Sequence, residues 1–277
     1  MNQHPKIALI GICYDGGSSF MRGAAEAPPL IRAALHSESS NRWTESGLDL
    51  SQESLSETED LTPKSELEML GQVEQAINAL LQRRLRPIII GGDHSITYPI
   101  LKAFAKMHPQ LSILHFDAHP DLYDEFEGRR YSHACPFSRI MEAGLAQRLV
   151  QVGIRTANSI QREQAKRFGV EMIEMKDWQD ELKLEFDSPV YISLDLDALD
   201  PAFAPGVAHH EPGGLSTRQV LKVLQAIRAP VVGADIVEYN PQKDVQQMTA
   251  RVAAKFVKEI AGKMMEKKVL GQADISP

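Results

Sequence analysis

The feature that most constrains this chain is a recurring pattern of short, apolar, β-branched runs. Each closes in polar residues and is followed by a longer stretch, often of helical period. The runs are residues 7–12 (IALIGI), 87–90 (PIII), 111–116 (LSILHF), 149–154 (LVQVGI), 190–194 (VYISL) and 230–235 (PVVGAD). Near-continuous apolar strands belong to sheets covered on both faces, and their alternation with helices predicts a parallel sheet. Residues 65–84 place Leu67, Met69, Leu70, Val73, Ala76, Ile77, Leu80 and Leu81 on one helical stripe. Helices are also predicted over 159–168, over 216–227 behind a capping Ser216, and over 246–265. The expected fold is α/β, a three-layer α/β/α arrangement around a central, mostly parallel sheet, with residues 1–277 forming a single domain. Residues 36–62, rich in Ser, Glu and Asp, read as a surface excursion with short strands or partial disorder.

In open parallel sheets, ligands bind beyond the carboxyl ends of the strands, and the polar clusters of this chain fall there. They are GGDHS (91–95), DAHPD (117–121), DLDALDP (195–201) and EYNP (238–241), with SHACP (132–136) in a loop between them. If extended geometry continues past the strand, Asp117, His119 and Asp121 point the same way, as do Asp195 and Asp197. With His94, six ligand-type side chains then converge on one crevice, and four of them are carboxylates. Clustered carboxylates repel one another unless a cation binds them. Carboxylates with a few imidazoles suit manganese or magnesium, and the absence of cysteine ligands argues against structural zinc. Two such ions ~3.5–4 Å apart would activate a bridging water as a nucleophile. Any one of these residues alone would fit a cap or a turn, as Asp93 and Asp200 do; the joint pattern points to metal.

Charge and cysteine usage narrow the function classes. A net charge of −7 disfavours binding to a phosphate backbone, and Arg83, Arg84 and Arg86 read as a solvated helix end. No apolar run reaches the ~18 residues of a membrane span. Cys13 and Cys135 stand far apart and in no metal-type spacing, which fits a reducing compartment. With no secretory leader evident, a cytoplasmic location is expected.

The segments GGDHS, DAHPD and SLDLDALDP, together with YDGGSSFMRGAAEAPPLIRAAL near the start, resemble the ureohydrolase superfamily of arginases, agmatinases and related hydrolases. The resemblance covers nearly the whole chain. It implies two Mn2+ ions, one held by His94, Asp117, Asp121 and Asp195, the other by Asp117, His119, Asp195 and Asp197. It also implies that Asp121 orients the hydroxide, that His133 transfers a proton, and that Glu238 pairs with the planar guanidinium. A homotrimer or homohexamer is implied as well. His115, inside a predicted strand, reads as a core or supporting histidine.

DPAFAPGVAHHEPGGLS and VVGADIVEYNPQKDVQQMTARVAAKFVKEI look most like plant-type arginases, which lie close to bacterial agmatinases. The expected reaction is therefore L-arginine to L-ornithine and urea. Agmatine, or another guanidino acid or formiminoglutamate, is the alternative substrate, and a non-catalytic metal-binding relative is the alternative class. In the loop after Asp121, Tyr123 stands where animal-type arginases place an Asn that reads the amino-acid head group. Arg129 or Arg130 is expected to meet a substrate carboxylate. His209 and His210 are expected to line the pocket.

Overall fold

The computed structural model describes residues 6–50 and 55–266. Its strands are β1 (Ile7–Gly11), β2 (Leu55–Glu57), β3 (Arg86–Ile90), β4 (Ser112–Phe116), β5 (Arg148–Ile154), β6 (Glu171–Glu174), β7 (Val190–Asp195) and β8 (Val231–Val237). They form one sheet in the order β2-β1-β3-β8-β7-β4-β5-β6, with every pairing parallel. The helices are α1 (Ala27–Leu35), α2 (Glu66–Gln82), α3 (Thr97–Met107), α4 (Pro136–Glu142), α5 (Ser159–Phe168), α6 (Thr217–Ala226) and α7 (Met248–Met265).

Strand alternation divides the core into two sides. Ile7, Leu9, Ile88, Ile90 and Leu114 pack with α1, α6 and α7. Ala8, Ile10, Ile89, Ile113 and Leu149 pack with α2, α3, α4 and α5. The result is the three-layer α/β/α arrangement predicted from the apolar strands, which need cover on both faces.

Local chemistry sets the helix starts. Asn158 and Ser216 each form a capping box, with Gln161 and Gln219 respectively, and Ser65 accepts from Glu68 N. Pro136 opens α4 at a position where its missing N–H costs nothing. The excursion is held down where it is described. The Thr44–Leu48 turn places Glu45 against Arg218 and Lys255, and Glu45 N donates to Glu259. Strand β2 then adds to the sheet edge, while residues 51–54 lie outside the described set.

The topology matters for the site. Strands β3, β8, β7 and β4 are consecutive neighbours in the middle of the sheet. Their carboxyl ends deliver Gly91–His94, Glu238, Asp195 and Asp117 to one place, although these residues are far apart in the chain. Gly92 sits at φ +80°, and a Cβ there would lie 2.8 Å from Tyr14 O. Only glycine lets this turn pass so close to the first loop.

Candidate active site

The site is built outward from His94. It lies in a short 3-10 turn after β3, capped by Asp93, and is fully buried. Its Nε2 is 2.9 Å from Ser193 Oγ. Ser193 in turn donates to Asp235 Oδ1 at 2.6 Å, and Tyr191 and Thr97 donate to Asp235 Oδ2. With its own proton committed to Asp235, the Ser193 hydroxyl accepts from His94 Nε2–H. The lone pair of His94 is thereby left on Nδ1.

That Nδ1 faces Asp117 Oδ2, Asp121 Oδ2 and Asp195 Oδ2, each at 3.2 Å, and it has no hydrogen-bond partner. A buried lone pair pointed at three carboxylate oxygens is repulsive unless a cation lies among them or the ring takes a second proton. Burial alone would lower the His94 pKa, yet the carboxylates push it well above the ordinary value. The donor set therefore fits a divalent cation.

A second donor group adjoins the first. His119 Nδ1 lies 3.3 Å from Asp117 Oδ1 and 3.0 Å from Asp197 Oδ2. Asp117 thus turns one oxygen to each group. Burial would raise the Asp117 pKa, but His115, His119 and His94 hold it well below the usual range. Asp121, Asp195 and Asp197 are pushed up by burial and by their carboxylate neighbours, Asp121 to about 6. The cluster carries more negative charge than its imidazoles neutralise.

His115 supports this cluster and is not one of its donors. Gln151 Nε2 donates to Pro120 O and to His115 Nδ1, so His115 must donate from Nε2 to Asp117 Oδ2 at 2.8 Å. Burial, more than the charges around it, keeps His115 neutral, with its pKa lowered to about 4.

The convergence arises differently from the alternation expected in the sequence. The chain leaves extended geometry directly after Asp117, and Asp121 adopts φ +50°. Asp195 caps a 3-10 turn and accepts from Asp197 N at 2.8 Å. Turns, rather than continued pleating, aim these side chains. Glu238 also has a left-handed backbone, at φ +65°. Non-glycine residues there cost of order 1–3 kcal/mol each and cluster at functional sites.

Above the carboxylates lies a cleft of about 190 Å³, lined in part by His119, Asp121, Tyr123, His133, Asp195, Asp197, His209 and Glu238. Glu238 Oε1 accepts from His94 N at 2.9 Å and lies 3.4 Å from His133 Nδ1. Burial would lower the His133 pKa, but Glu238 raises it to about 9. His209 stacks on His133 with ring centroids 5.0 Å apart.

Three expected substrate contacts are placed elsewhere. Arg129 donates to Gly16 O at 2.6 Å and lies near Glu66, bracing the first loop. Arg130 pairs with Asp124 and Glu142 on the outside. His210 is exposed, with Nε2 2.7 Å from Pro205 O. None of the three lines the cleft. Glu66 and Glu142 lie on helices α2 and α4, outside the loop, while Asp124 stands in the loop itself, six residues before Arg130. Tyr123 does line the cleft, where its hydroxyl accepts from Asn158 Nδ2 at 2.6 Å. Residues missed from the sequence include Ser193, Asp235, Gln151 and Ser19. Only Asp235 carried a signal, as an acid inside the apolar run VVGADIV.

A parallel sheet with clustered carboxylate and imidazole donors at the ends of its central strands fits a metal-dependent enzyme. The model of the Arginase family matches residues 5–262, and the chain belongs to that family. It is accordingly a hydrolase of guanidino carbon–nitrogen bonds. It is 50% identical to arginase 2, chloroplastic/mitochondrial, of Arabidopsis thaliana, over 93% of this chain and 80% of that protein. It is 35% identical to an agmatinase of Halalkalibacterium halodurans, over 72% of this chain and 70% of that protein. The solved arginase of Medicago truncatula superposes with a TM-score of 0.89 at 43% identity, covering 94% of this chain and 88% of that one.

The expectation of a cytoplasmic location is overturned by these relatives, since the Arabidopsis protein is named as chloroplastic or mitochondrial. Two unbridged cysteines, Cys13 and Cys135, suit an organelle interior equally well. No helix among the described residues is long and apolar enough to cross a membrane.

Proposed function

We propose that this chain is a binuclear manganese hydrolase that converts L-arginine to L-ornithine and urea. The observation that carries the binuclear reading is Asp117, with one carboxylate oxygen toward His94 and the other toward His119. His94, Asp117, Asp121 and Asp195 would hold one ion, and Asp117, His119, Asp195 and Asp197 the other. Oxygen-rich donors with two imidazoles favour manganese over thiolate-seeking metals. Bound there, the ions supply Lewis acidity and lower the pKa of a water, making hydroxide available near neutral pH.

The chain's own residues do the rest. Glu238 holds the planar guanidinium by charge-assisted hydrogen bonds, and its left-handed backbone aims the carboxylate over the cluster. Asp121 orients the attacking oxygen. As a C–O bond forms from water and the C–N bond breaks, the departing nitrogen needs a proton. His133, beside Glu238, delivers it. Fixed placement of the reactants supplies much of the acceleration.

The preference for L-arginine rests on the higher identity to the plant arginase. One observation favours agmatine, which has no carboxylate: among the described residues, no arginine or lysine lines the cleft. Urea release by the manganese-loaded protein, with the two substrates in separate assays, decides between them. Silence with every guanidino compound would favour a non-catalytic, metal-binding role. The assembly implied by the family resemblance, a trimer or hexamer, is checked by light scattering.

A further inference from the structure

His133 presents two nitrogens to two different surroundings. Nδ1 lies 3.4 Å from Glu238 Oε1, on the side where the guanidinium would sit. Nε2 lies 2.9 Å from the hydroxyl of Ser19, an exposed residue at the mouth of the cleft. Ser19 belongs to the loop after β1, which is docked against the histidine's own backbone. His133 N donates to Gly17 O at 3.2 Å, and Ser132 Oγ donates to the same carbonyl. Ser18 Oγ donates to Asp93 Oδ2, and Arg129 donates to Gly16 O. A loop anchored at three successive residues holds the Ser19 hydroxyl in register with the ring. His209, stacked on the ring of His133, packs against it.

We propose that Ser19 is a positioning residue that connects His133 to solvent, so that the ring receives its proton on one edge and delivers it from the other. This inference rests on the role given to His133 above. Once a guanidinium cation offsets the Glu238 charge that holds the ring doubly protonated, His133 keeps one proton; the carboxylate beside Nδ1 favours it on that nitrogen, and Nε2 then accepts from the serine. As the C–N bond breaks, the Nδ1 proton passes to the departing nitrogen. Nε2 takes the hydroxyl proton of Ser19, whose oxygen takes one from a solvent water. The ring resets when the next water to enter the cleft gives a proton to Nδ1 and the Nε2 proton leaves through the same hydroxyl. One proton enters from solvent and one returns in each turnover, so the charge balances.

The test compares Ser19→Ala, Ser19→Thr and His133→Asn in the full-length, manganese-loaded protein, using whichever guanidino substrate is turned over. Ser19→Ala should lower kcat roughly tenfold with KM within about twofold of the parent, since proton-transfer devices contribute through the chemical step. Ser19→Thr, which keeps the hydroxyl, should restore most of that loss. Metal content should be equal in all of them. In 15N spectra of histidine-labelled protein saturated with guanidinium ion, Ser19→Ala should shift His133 from the Nδ1–H tautomer toward a mixture. A raised KM with unchanged kcat would make Ser19 a substrate contact and overturn the relay. Failure of the threonine to rescue would reduce Ser19 to packing. An unaffected Ser19→Ala beside a crippled His133→Asn would sink the relay alone. An active His133→Asn would remove the role of the histidine itself.

Discussion

The floor of the cleft and the loop over residues 122–131 differ in what their charged residues do. On the floor, three of the donors are held by partners that leave a functional atom facing inward. His94 is steered by Ser193 and Asp235, Asp117 by His115 and Gln151, and Asp195 by the Asp197 amide. In the loop, the charges are consumed by structure. Arg129 braces the first loop, and Arg130 pairs with Asp124 and Glu142. Charge at the strand ends is therefore gathered into one cluster, whereas charge on the loop is taken up by ion pairs and backbone contacts. Strand ends are rigid and buried, so an unpaired charge there is costly and needs a ligand. A surface arginine finds partners cheaply.

Breaking the floor at its shared residue should have the largest effect. Asp117→Asn should abolish urea release and lower the metal content measured by elemental analysis; full turnover with full metal content would refute the shared role. Glu238→Gln should come next, cutting kcat/KM by roughly two to four orders of magnitude, because removing one partner of a buried pair costs about 3–5 kcal/mol. Its metal content should stay near the parent level, and a metal-depleted variant would move Glu238 from the substrate to the scaffold. Asp235→Asn removes no donor from the cluster. It should still weaken metal affinity roughly 10–100-fold, the usual cost of losing a group that orients a ligand, and titration with manganese would show it. The smallest effect belongs to the loop. Arg130→Ala should change kcat/KM by less than about twofold, since exposed ion pairs contribute ~0–1 kcal/mol. A tenfold loss with L-arginine but not with agmatine would return this arginine to the substrate and erase the contrast.

Much of the fold was legible in particular residues. Ser216 announced its helix through local capping, which needs only neighbours in sequence, and Asn158 and Ser65 cap theirs in the same way. The long apolar stripe of 65–84 and the runs at β1, β3, β4, β5, β7 and β8 carried their periods openly. Strands β2 and β6 did not. Each is a short edge strand, so its burial pattern is weak and its pairing depends on the neighbouring strand. Helix α3 begins as a 3-10 turn and carries Pro99 near its start, which masked a helix that packing on α2 sustains. Neither the alternation expected through Asp117–Asp121 nor that through Asp195–Asp197 describes how those side chains converge.

By itself, the sequence determined the α/β class, the strand ends at which the polar residues gather and the kinds of donor found there. These follow from hydrophobic period and residue chemistry, which act over a few neighbours. Only the tertiary structure decided that β3, β8, β7 and β4 lie side by side, which nitrogen of His94 keeps its lone pair, and that Arg129 and Arg130 serve the scaffold. Those outcomes depend on partners far away along the chain, and a hydrogen bond or an ion pair exists only once packing has brought both of its ends together.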